Sequence, residues 1–300
     1  MTKMNYQKLE EKIVAVQIET TNACALAECA ECAWRFMSRK IGHMDYELAK
    51  IIVDGAVEAF GTGINFNLNG LGEPMAYLKL PELIRYIGER APDGRVELFS
   101  SLVGSHKNIE EVCKALAEIP NNVLFATTAH LRSYTGEILE QTAKHFAFET
   151  VFNMLGRNPR IDLHVATNRS IFTTNEDIKT FRAIFSEALP EDKIHVVDRL
   201  DPWLEYIRPF AVECSDVTSP AVCDYNFRVL FVEWNGTVTT CCTDTIKDEL
   251  VIGKIIKKED VKNIWFGDFM NQLRERHNNL DVEGLDPCRR CGRCKGYLKK

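Results

Sequence analysis

Hydrophobic and polar positions follow two alternating patterns along the first two thirds of the chain. Short runs rich in β-branched and apolar residues recur six times and predict strands. Longer segments between them place apolar residues three and four positions apart, as amphipathic helices do. The predicted strands are residues 14–20, 64–69, 96–101, 123–128, 162–167 and 194–199, and the predicted helices are residues 48–60, 80–90, 109–119, 135–146 and 175–189.

This alternation predicts parallel β–α–β units and therefore the α/β class. Six units are typical of a partial (β/α)6 barrel, which we place at residues 13–209 after an N-terminal extension of residues 1–12. An open doubly wound sheet is the alternative. Pro81 and the pair Thr174 and Asp177 indicate where two of the helices begin. In either architecture the catalytic groups are expected at the carboxyl ends of the strands.

The pattern changes after about residue 205, which predicts a second, small α+β domain over residues 210–300. Two β-rich runs flank Asn235 and Gly236, a pair that favours a hairpin with a two-residue type I′ turn. A single helix is predicted over residues 260–277. This unit is too small to bury a large core, so a metal cluster would help to hold it together.

Composition narrows the function classes. The chain has 300 residues, of which 45% are hydrophobic and 27% charged, as in ordinary globular proteins. With 37 basic and 43 acidic residues the net charge is −6, which argues against broad binding to nucleic acid. The N-terminus is too polar for a signal peptide, and no apolar run reaches the roughly 18 residues of a membrane span. We therefore expect a cytoplasmic protein that does not enter a membrane.

Cysteine is in excess, with 11 residues. An odd number in a long chain without a signal peptide argues against a disulfide scaffold, and clustered cysteines in a reducing compartment more often bind metal. Cys24, Cys29 and Cys32 follow the first predicted strand. Three thiolates can hold three irons of a cubane 4Fe–4S cluster and leave the fourth iron open. A zinc site or unrelated core cysteines are the alternatives.

A glycine-containing segment, NGLGEP at residues 69–74, follows the second predicted strand. Gly70 and Gly72 would let the backbone come close to a ligand, and Glu73 could accept a hydrogen bond from an ammonium group. An ordinary turn between a strand and a helix is the alternative. Segment 69–74 and the cysteine loop are expected at the same edge of the sheet.

Together these two motifs resemble those of the radical S-adenosylmethionine (SAM) superfamily. The resemblance implies that Cys24, Cys29 and Cys32 hold a 4Fe–4S cluster whose open iron is chelated by the amine and carboxylate of SAM. Reductive cleavage of SAM would then give a 5′-deoxyadenosyl radical that abstracts a substrate hydrogen atom. The implied SAM-binding residues are Gly70, Gly72 and Glu73, with further contacts from Thr127, Thr128, Asn168 and Ser170.

Two features depart from the pattern of the superfamily. The spacing here is C-x4-C-x2-C, one residue longer than C-x3-C-x2-C. Glu31 stands before the last cysteine, where the superfamily has an aromatic residue near the adenine. Trp34 is the candidate to replace that aromatic contact.

A second group of cysteines lies in the C-terminal domain. Cys223, Cys241, Cys288 and Cys291 suit either a zinc ribbon or a fully ligated iron–sulfur cluster. Behind such a barrel, this region resembles the SPASM/Twitch class of auxiliary-cluster domains, and the short cysteine run at its end favours Twitch with one auxiliary 4Fe–4S cluster. Cys294 is an alternative to Cys291, whereas Cys113 is expected in the core.

The reaction is less defined than the class. The first hypothesis is the two-electron dehydrogenation of a small hydroxylated molecule, with a peptide maturase or epimerase second and a zinc-binding interaction protein third. Asp198 is our first choice for the base, ahead of His130, His164 and Asp201. The resemblance also implies a reducing partner such as flavodoxin or ferredoxin.

Overall fold

The computed structural model describes residues 12–25, 32–103, 106–129, 131, 146–168, 173–197, 223–242, 244, 250–286 and 288. The strands are β1 (Ala15–Ile18), β2 (Asn65–Asn67), β3 (Arg95–Ser100), β4 (Asn122–Thr128), β5 (Ile161–Asn168), β6 (Ile194–Val197), β7 (Val229–Val232), β8 (Thr237–Thr239) and β9 (Val251–Lys254). The α-helices are α1 (Tyr46–Phe60), α2 (Leu80–Arg90), α3 (His106–Glu118), α4 (Phe146–Leu155), α5 (Asn175–Ser186), α6 (Tyr225–Arg228), α7 (Glu259–Trp265) and α8 (Asp268–Asn278). Short 3-10 turns occupy Ala33–Phe36, Pro74–Ala76 and Glu191–Lys193.

All six predicted strands are confirmed, and they form one parallel sheet. Its order is β6-β5-β4-β3-β2-β1, and β7, β8 and β9 continue the sheet beyond β1. Strands β1 to β6 alternate with helices, which confirms the mixed α/β class. They also follow one another in chain order, without the reversal of a doubly wound sheet, which favours the partial barrel. The carboxyl ends of β1, β2 and β3 lie side by side, and this edge carries the two motifs found in the sequence.

The helices bury the apolar stripes that their sequences predict. In α1 the buried positions include Ala49, Ile52, Val53 and Ala56, three or four residues apart. The start of α5 has the predicted capping box: the Thr174 side chain accepts from the Asp177 amide, and the Asp177 side chain accepts from the Thr174 amide. Cys113 is fully buried in the core, as expected.

The C-terminal hairpin is a continuation of the barrel sheet. Strand β7 pairs in parallel with β1, and β8 then pairs antiparallel with β7. The predicted two-residue type I′ turn is wrong. The Gly236 amide donates to the Glu233 carbonyl, and only Gly236 in this turn has a positive φ, of 85°. A type I turn followed by a left-handed glycine makes a three-residue loop, which needs no positive φ at Asn235.

Two further predictions in the C-terminal domain need correction. The single helix expected over residues 260–277 is two helices, α7 and α8, which are separated at Phe266 and Gly267. The stretch before it contains an unpredicted strand, β9, that pairs with β8. Helix α4 was also not predicted, while the predicted helix 135–146 lies almost wholly outside the described residues. The predicted domain boundary at residues 209–210 is likewise outside them.

The barrel and the C-terminal helices are in close contact. A Cβ atom on Gly55 of α1 would lie 2.4 Å from the Lys258 carbonyl oxygen, so glycine allows α1 to approach α7. On the other side of α7, the buried Arg274 guanidinium lies 4.2 Å from the centre of the Trp265 ring and donates to the carbonyls of Trp265 and Asn226. None of the described helices combines the length and apolar character needed to cross a membrane.

Candidate active site

The cysteine loop starts at the carboxyl end of β1. Cys24 and Cys32 are partly exposed, and Cys29 lies outside the described residues. The Cys32 sulfur accepts a 3.4 Å hydrogen bond from the Trp34 amide at the start of a 3-10 turn. Such N–H···S contacts are one of the means by which proteins adjust the potential of iron–sulfur clusters. These soft ligands at a strand end therefore fit the predicted cluster.

The buried Asn22 holds the two ends of the cysteine loop together. Its amide nitrogen donates to the Lys40 carbonyl at 3.0 Å, and its side-chain oxygen accepts from the Gly42 amide at 2.8 Å. The Trp34 indole N–H donates to the Asn22 carbonyl at 2.6 Å. Trp34 is therefore fixed beside the loop, where its suggested contact with adenine stays a prediction.

Segment 69–74 packs directly on the cysteine loop. A Cβ atom on Gly72 would lie 2.4 Å from the Thr21 carbonyl oxygen and 2.6 Å from the Asn22 Cα. The amide of Glu73 donates to the Ala23 carbonyl at 2.8 Å. Glycine is needed at position 72 because any side chain would push the two segments apart. The structure thus brings the first cysteine and the glycine motif together, as the sequence predicted.

Glu73 is almost fully buried, and its carboxylate holds the ends of two strands together. One oxygen accepts from the Ser100 hydroxyl at 2.5 Å and from the Met75 amide at 3.0 Å, and the other accepts from the Ser101 amide at 2.7 Å. The next residue, Leu102, has a φ of 55°, which is rare for a residue other than glycine. Glu73 therefore shapes the carboxyl end of β3, and its predicted contact with the SAM amine stays a prediction.

A buried ion triad lies beneath this edge and consists of Glu19, Arg39 and Glu233. The Arg39 guanidinium forms two hydrogen bonds to the Glu19 carboxylate, at 2.8 and 2.9 Å, and lies 3.1 Å from a Glu233 oxygen. The two glutamate side chains have no exposed surface, and Arg39 is 6% exposed. Glu19 also accepts from the Leu71 amide at 3.2 Å. Sequence reasoning missed the triad, although two glutamates at the ends of apolar strands signal buried charges that need a partner.

The other predicted SAM contacts come from neighbouring strand ends. Thr128 ends β4 and is partly exposed, and Asn168 ends β5. Thr127 is buried, on the same side of β4 as Phe125. Ser170 lies outside the described residues. The structure therefore places Thr128 and Asn168 at the correct edge and leaves their role as a prediction.

The candidate bases separate into two groups. Asp198, His130 and Asp201 lie outside the described residues. His164 does not lie near a strand end as predicted, because it is the fourth residue of β5. Its Nδ1 is 2.7 Å from Nε2 of His195, and its Nε2 is 2.9 Å from Oδ1 of Asp162.

The charged residues around His164 lie toward the amino ends of the strands, away from the edge that carries the cysteine loop and segment 69–74. Lys193 donates to Asp162 at 2.6 Å, and this contact is the main cause that lowers the pKa of Asp162. Burial, together with His164, lowers the pKa of His195. Since Lys193 comes just before β6, this group lies toward the amino ends of the strands, where stability rather than catalysis is usual.

The four residues predicted to hold the auxiliary cluster are all cysteines. Cys223 and Cys241 are partly exposed, Cys288 is buried, and Cys291 and Cys294 lie outside the described residues. In the part of the chain that is described, no three cysteine, histidine or acidic side chains converge as a metal site. Tyr225 lies close to Cys241 and Cys242. Burial, followed by these two neighbours, raises the pKa of Tyr225 well above the usual value. A set of thiols fits an iron–sulfur cluster.

Comparison with known proteins agrees with this arrangement. Residues 223–294 match the family model of SPASM, an iron-sulfur cluster-binding domain. No curated protein matches the chain by sequence. The match falls in the region where the sequence predicted a SPASM/Twitch domain, and residues 223–294 are called the SPASM domain below.

Solved structures show the same fold over nearly the whole chain. BtrN in complex with AdoMet and 2-DOIA is 15% identical, with a TM-score of 0.59, and the match covers 95% of this chain and 94% of BtrN. Native anSMEcpe with bound AdoMet is 14% identical, with a TM-score of 0.59 and coverage of 93% and 86%. Streptococcus suis SuiB bound to S-adenosylmethionine is 12% identical, with a TM-score of 0.50 and coverage of 95% and 72%. The chain therefore has the fold of these AdoMet-bound proteins over nearly its whole length, which confirms the predicted architecture.

Proposed function

We propose that the chain is a radical SAM enzyme that generates a 5′-deoxyadenosyl radical and uses it for the dehydrogenation of a small hydroxylated molecule. The observation that carries the proposal is the packing of Gly72 against Thr21 and Asn22, which joins the cysteine loop to segment 69–74. Three cysteine ligands leave the fourth iron of a 4Fe–4S cluster without a protein ligand. A small molecule bound at this edge of the sheet could then coordinate that iron. The similarity in fold to AdoMet-bound structures supports SAM as that group.

Cys24, Cys29 and Cys32 would hold the first cluster, which when bound supplies one electron for the cleavage of SAM into methionine and the 5′-deoxyadenosyl radical. The backbone at Gly70 and Gly72 would lie along the methionyl part of SAM. Glu73 keeps this segment against β3 through Ser100 and Ser101, and would also accept a hydrogen bond from the amine. Thr128, Asn168 and Ser170 would contact the rest of SAM from the ends of β4 and β5.

The dehydrogenation balances with a second electron acceptor. The 5′-deoxyadenosyl radical would remove a hydrogen atom from the carbon that bears the hydroxyl, giving 5′-deoxyadenosine. Asp198, our candidate base, would take the hydroxyl proton, and the auxiliary cluster would supply the acceptor for the remaining electron, leaving a ketone. Cys223, Cys241, Cys288 and Cys291 would hold that cluster. Four protein thiolates leave no iron open to substrate, which suits electron transfer.

The first test is whether the chain cleaves SAM. Anaerobically reconstituted protein should contain about eight iron and eight sulfide per chain, and with a reductant or a reduced flavodoxin it should release 5′-deoxyadenosine. Changing Cys24, Cys29 and Cys32 to Ala should stop this release and leave about half of the iron. The matched control is Cys113→Ala, which removes a core thiol and should leave release unchanged. Release by the triple variant would show that other cysteines hold the active cluster, and colourless protein with zinc would refute the proposal.

The second test separates dehydrogenation from its rival, a redox-neutral change in a peptide or small molecule. Candidate hydroxylated substrates deuterated at the carbinol carbon should transfer deuterium into 5′-deoxyadenosine. One SAM should be consumed per two-electron oxidation. Changing Cys241 and Cys288 to Ala should allow 5′-deoxyadenosine release and stop formation of the oxidised product. An epimer that gains solvent hydrogen would favour the rival reaction.

A further inference from the structure

Glu19, Arg39 and Glu233 join three segments of different function. We propose that Arg39 is a positioning residue through which the SPASM domain sets the geometry of the SAM-binding edge. This inference rests on the proposed function for its ligand, SAM, while the structural coupling can be measured without it. None of the three residues belongs to the motifs that identified the site.

The first part of the argument is the location of the triad. Glu19 comes five residues before Cys24, and Arg39 comes seven residues after Cys32, so the pair closes the base of the cysteine loop. Glu233 directly follows β7 and comes eight residues before Cys241, a proposed ligand of the auxiliary cluster. One guanidinium therefore holds both cysteine-bearing segments.

The second part is the contact between the triad and segment 69–74. Glu19 accepts from the Leu71 amide through one carboxylate oxygen, and the Trp234 amide lies 3.5 Å from the other. A Cβ atom on Gly70 would lie 2.4 Å from the Glu19 Cγ, so segment 69–74 rests directly on this side chain. A shift of Glu19 would therefore move the backbone that is proposed to hold the methionyl group.

The third part is the chemistry of the guanidinium. The two carboxylates and the guanidinium lie away from water, where charged groups are tolerated only with close and well-oriented contacts. A planar guanidinium can donate two parallel bonds to Glu19 and still reach Glu233. A lysine ammonium keeps the positive charge but cannot donate two parallel hydrogen bonds to one carboxylate. Arg39→Lys therefore separates orientation from charge.

The test measures hydrogen exchange and SAM affinity in the reconstituted enzyme. In Arg39→Lys, amide exchange should rise together in peptides that contain Leu71 and Trp234, before any SAM is added. The dissociation constant for SAM should rise about tenfold at unchanged iron content. Glu233→Gln keeps the shape and removes one charge, and should give the same pattern with a smaller rise, about threefold. The matched control is Arg85→Lys, whose partner Glu118 lies on the outer surface, and it should change neither quantity.

Each outcome separates this inference from the proposed function. Exchange that rises only around residue 39, or a SAM affinity within twofold of wild type in Arg39→Lys, would overturn the inference. If the unaltered enzyme fails to bind SAM, the proposed function fails. Joint exchange at Leu71 and Trp234 would then still report whether the triad couples the two domains. If Arg39→Lys does not fold, Glu233→Gln decides, because it leaves both hydrogen bonds between Arg39 and Glu19 in place.

Discussion

Tyr225 donates a 2.6 Å hydrogen bond to the side-chain oxygen of Gln17, which links the SPASM domain to the first strand of the barrel. The Gln17 amide nitrogen in turn donates to the Asn69 carbonyl at 3.1 Å. A continuous chain of hydrogen bonds therefore runs from the neighbourhood of Cys242 to the start of segment 69–74. Because Gln17 is 8% exposed, water offers little replacement for either bond.

We expect Tyr225→Phe to lower the free energy of unfolding by about 1–3 kcal/mol, because the Gln17 oxygen is left without its donor away from water. The measurement is urea unfolding under anaerobic conditions. Tyr46→Phe is the matched control, since its hydroxyl makes a longer contact, 3.4 Å, with the Glu82 carbonyl. Equal losses of unfolding free energy in the two variants would show that the hydrogen bond to Gln17 does not stabilise the fold more than the Tyr46 contact does.

Gly72 gives a sharper prediction about the site. Gly72→Ala places a Cβ atom 2.4 Å from the Thr21 carbonyl oxygen. The atoms in contact are backbone atoms, so the clash can be relieved only by moving one of the two segments. We expect the variant to separate segment 69–74 from the cysteine loop, with loss of SAM binding and of about half of the bound iron. Iron analysis and SAM titration measure the two effects.

The control for this change is Gly63→Ala, where a Cβ atom would meet no other atom within 4 Å. Gly63 has no positive φ, so alanine should be neutral or slightly stabilising there. Normal SAM binding by Gly72→Ala would contradict the close packing of the two motifs.

His277 makes the stability of the SPASM domain sensitive to acid. Its ring is fully buried, and burial, assisted by Arg276, lowers its pKa to about 4. The unfolded state binds a proton at about pH 6.5 and the folded state does not, so stability is retained above pH 6.5 and lost as the pH falls toward 4. Between pH 7.5 and 5.5 this contribution should fall by about 1.3 kcal/mol. Urea unfolding at the two pH values should show it, and His277→Gln should have a smaller difference. An unchanged difference in His277→Gln would assign the acid sensitivity to other groups.

Local patterns predicted the strands and most helices because β-branched runs and helical periods reflect burial directly. The helix break at Phe266 had a signal that periodicity alone did not reveal. Buried positions run through Val261 and Trp265 and resume at Met270, a step of five that shifts the helical phase. The parallel pairing of β7 with β1 had no local signal, because the two strands are far apart in sequence.

The same limit applies to the site. The two motifs were visible because each lies within a few consecutive residues. Glu19 and Glu233 were visible as charges at the ends of apolar strands, yet nothing local selects Arg39 as their partner among 37 basic residues. The prediction for Glu73 concerned a ligand, whereas the structure shows three protein donors on its carboxylate.

Glu73→Ala should therefore affect stability as well as SAM. It leaves the buried Ser100 hydroxyl and the amides of Ser101 and Met75 without their acceptor, at a cost of roughly 2–4 kcal/mol. If the carboxylate also accepts from the SAM amine, affinity for SAM should fall by a further 1.5–3 kcal/mol, as for a charge-assisted hydrogen bond. Ser100→Ala is the matched variant, because it removes one donor and leaves the carboxylate in place. Loss of SAM affinity in Glu73→Ala and in Ser100→Ala alike would assign Glu73 to the shape of the β3 end, whereas loss in Glu73→Ala alone would assign it to the amine.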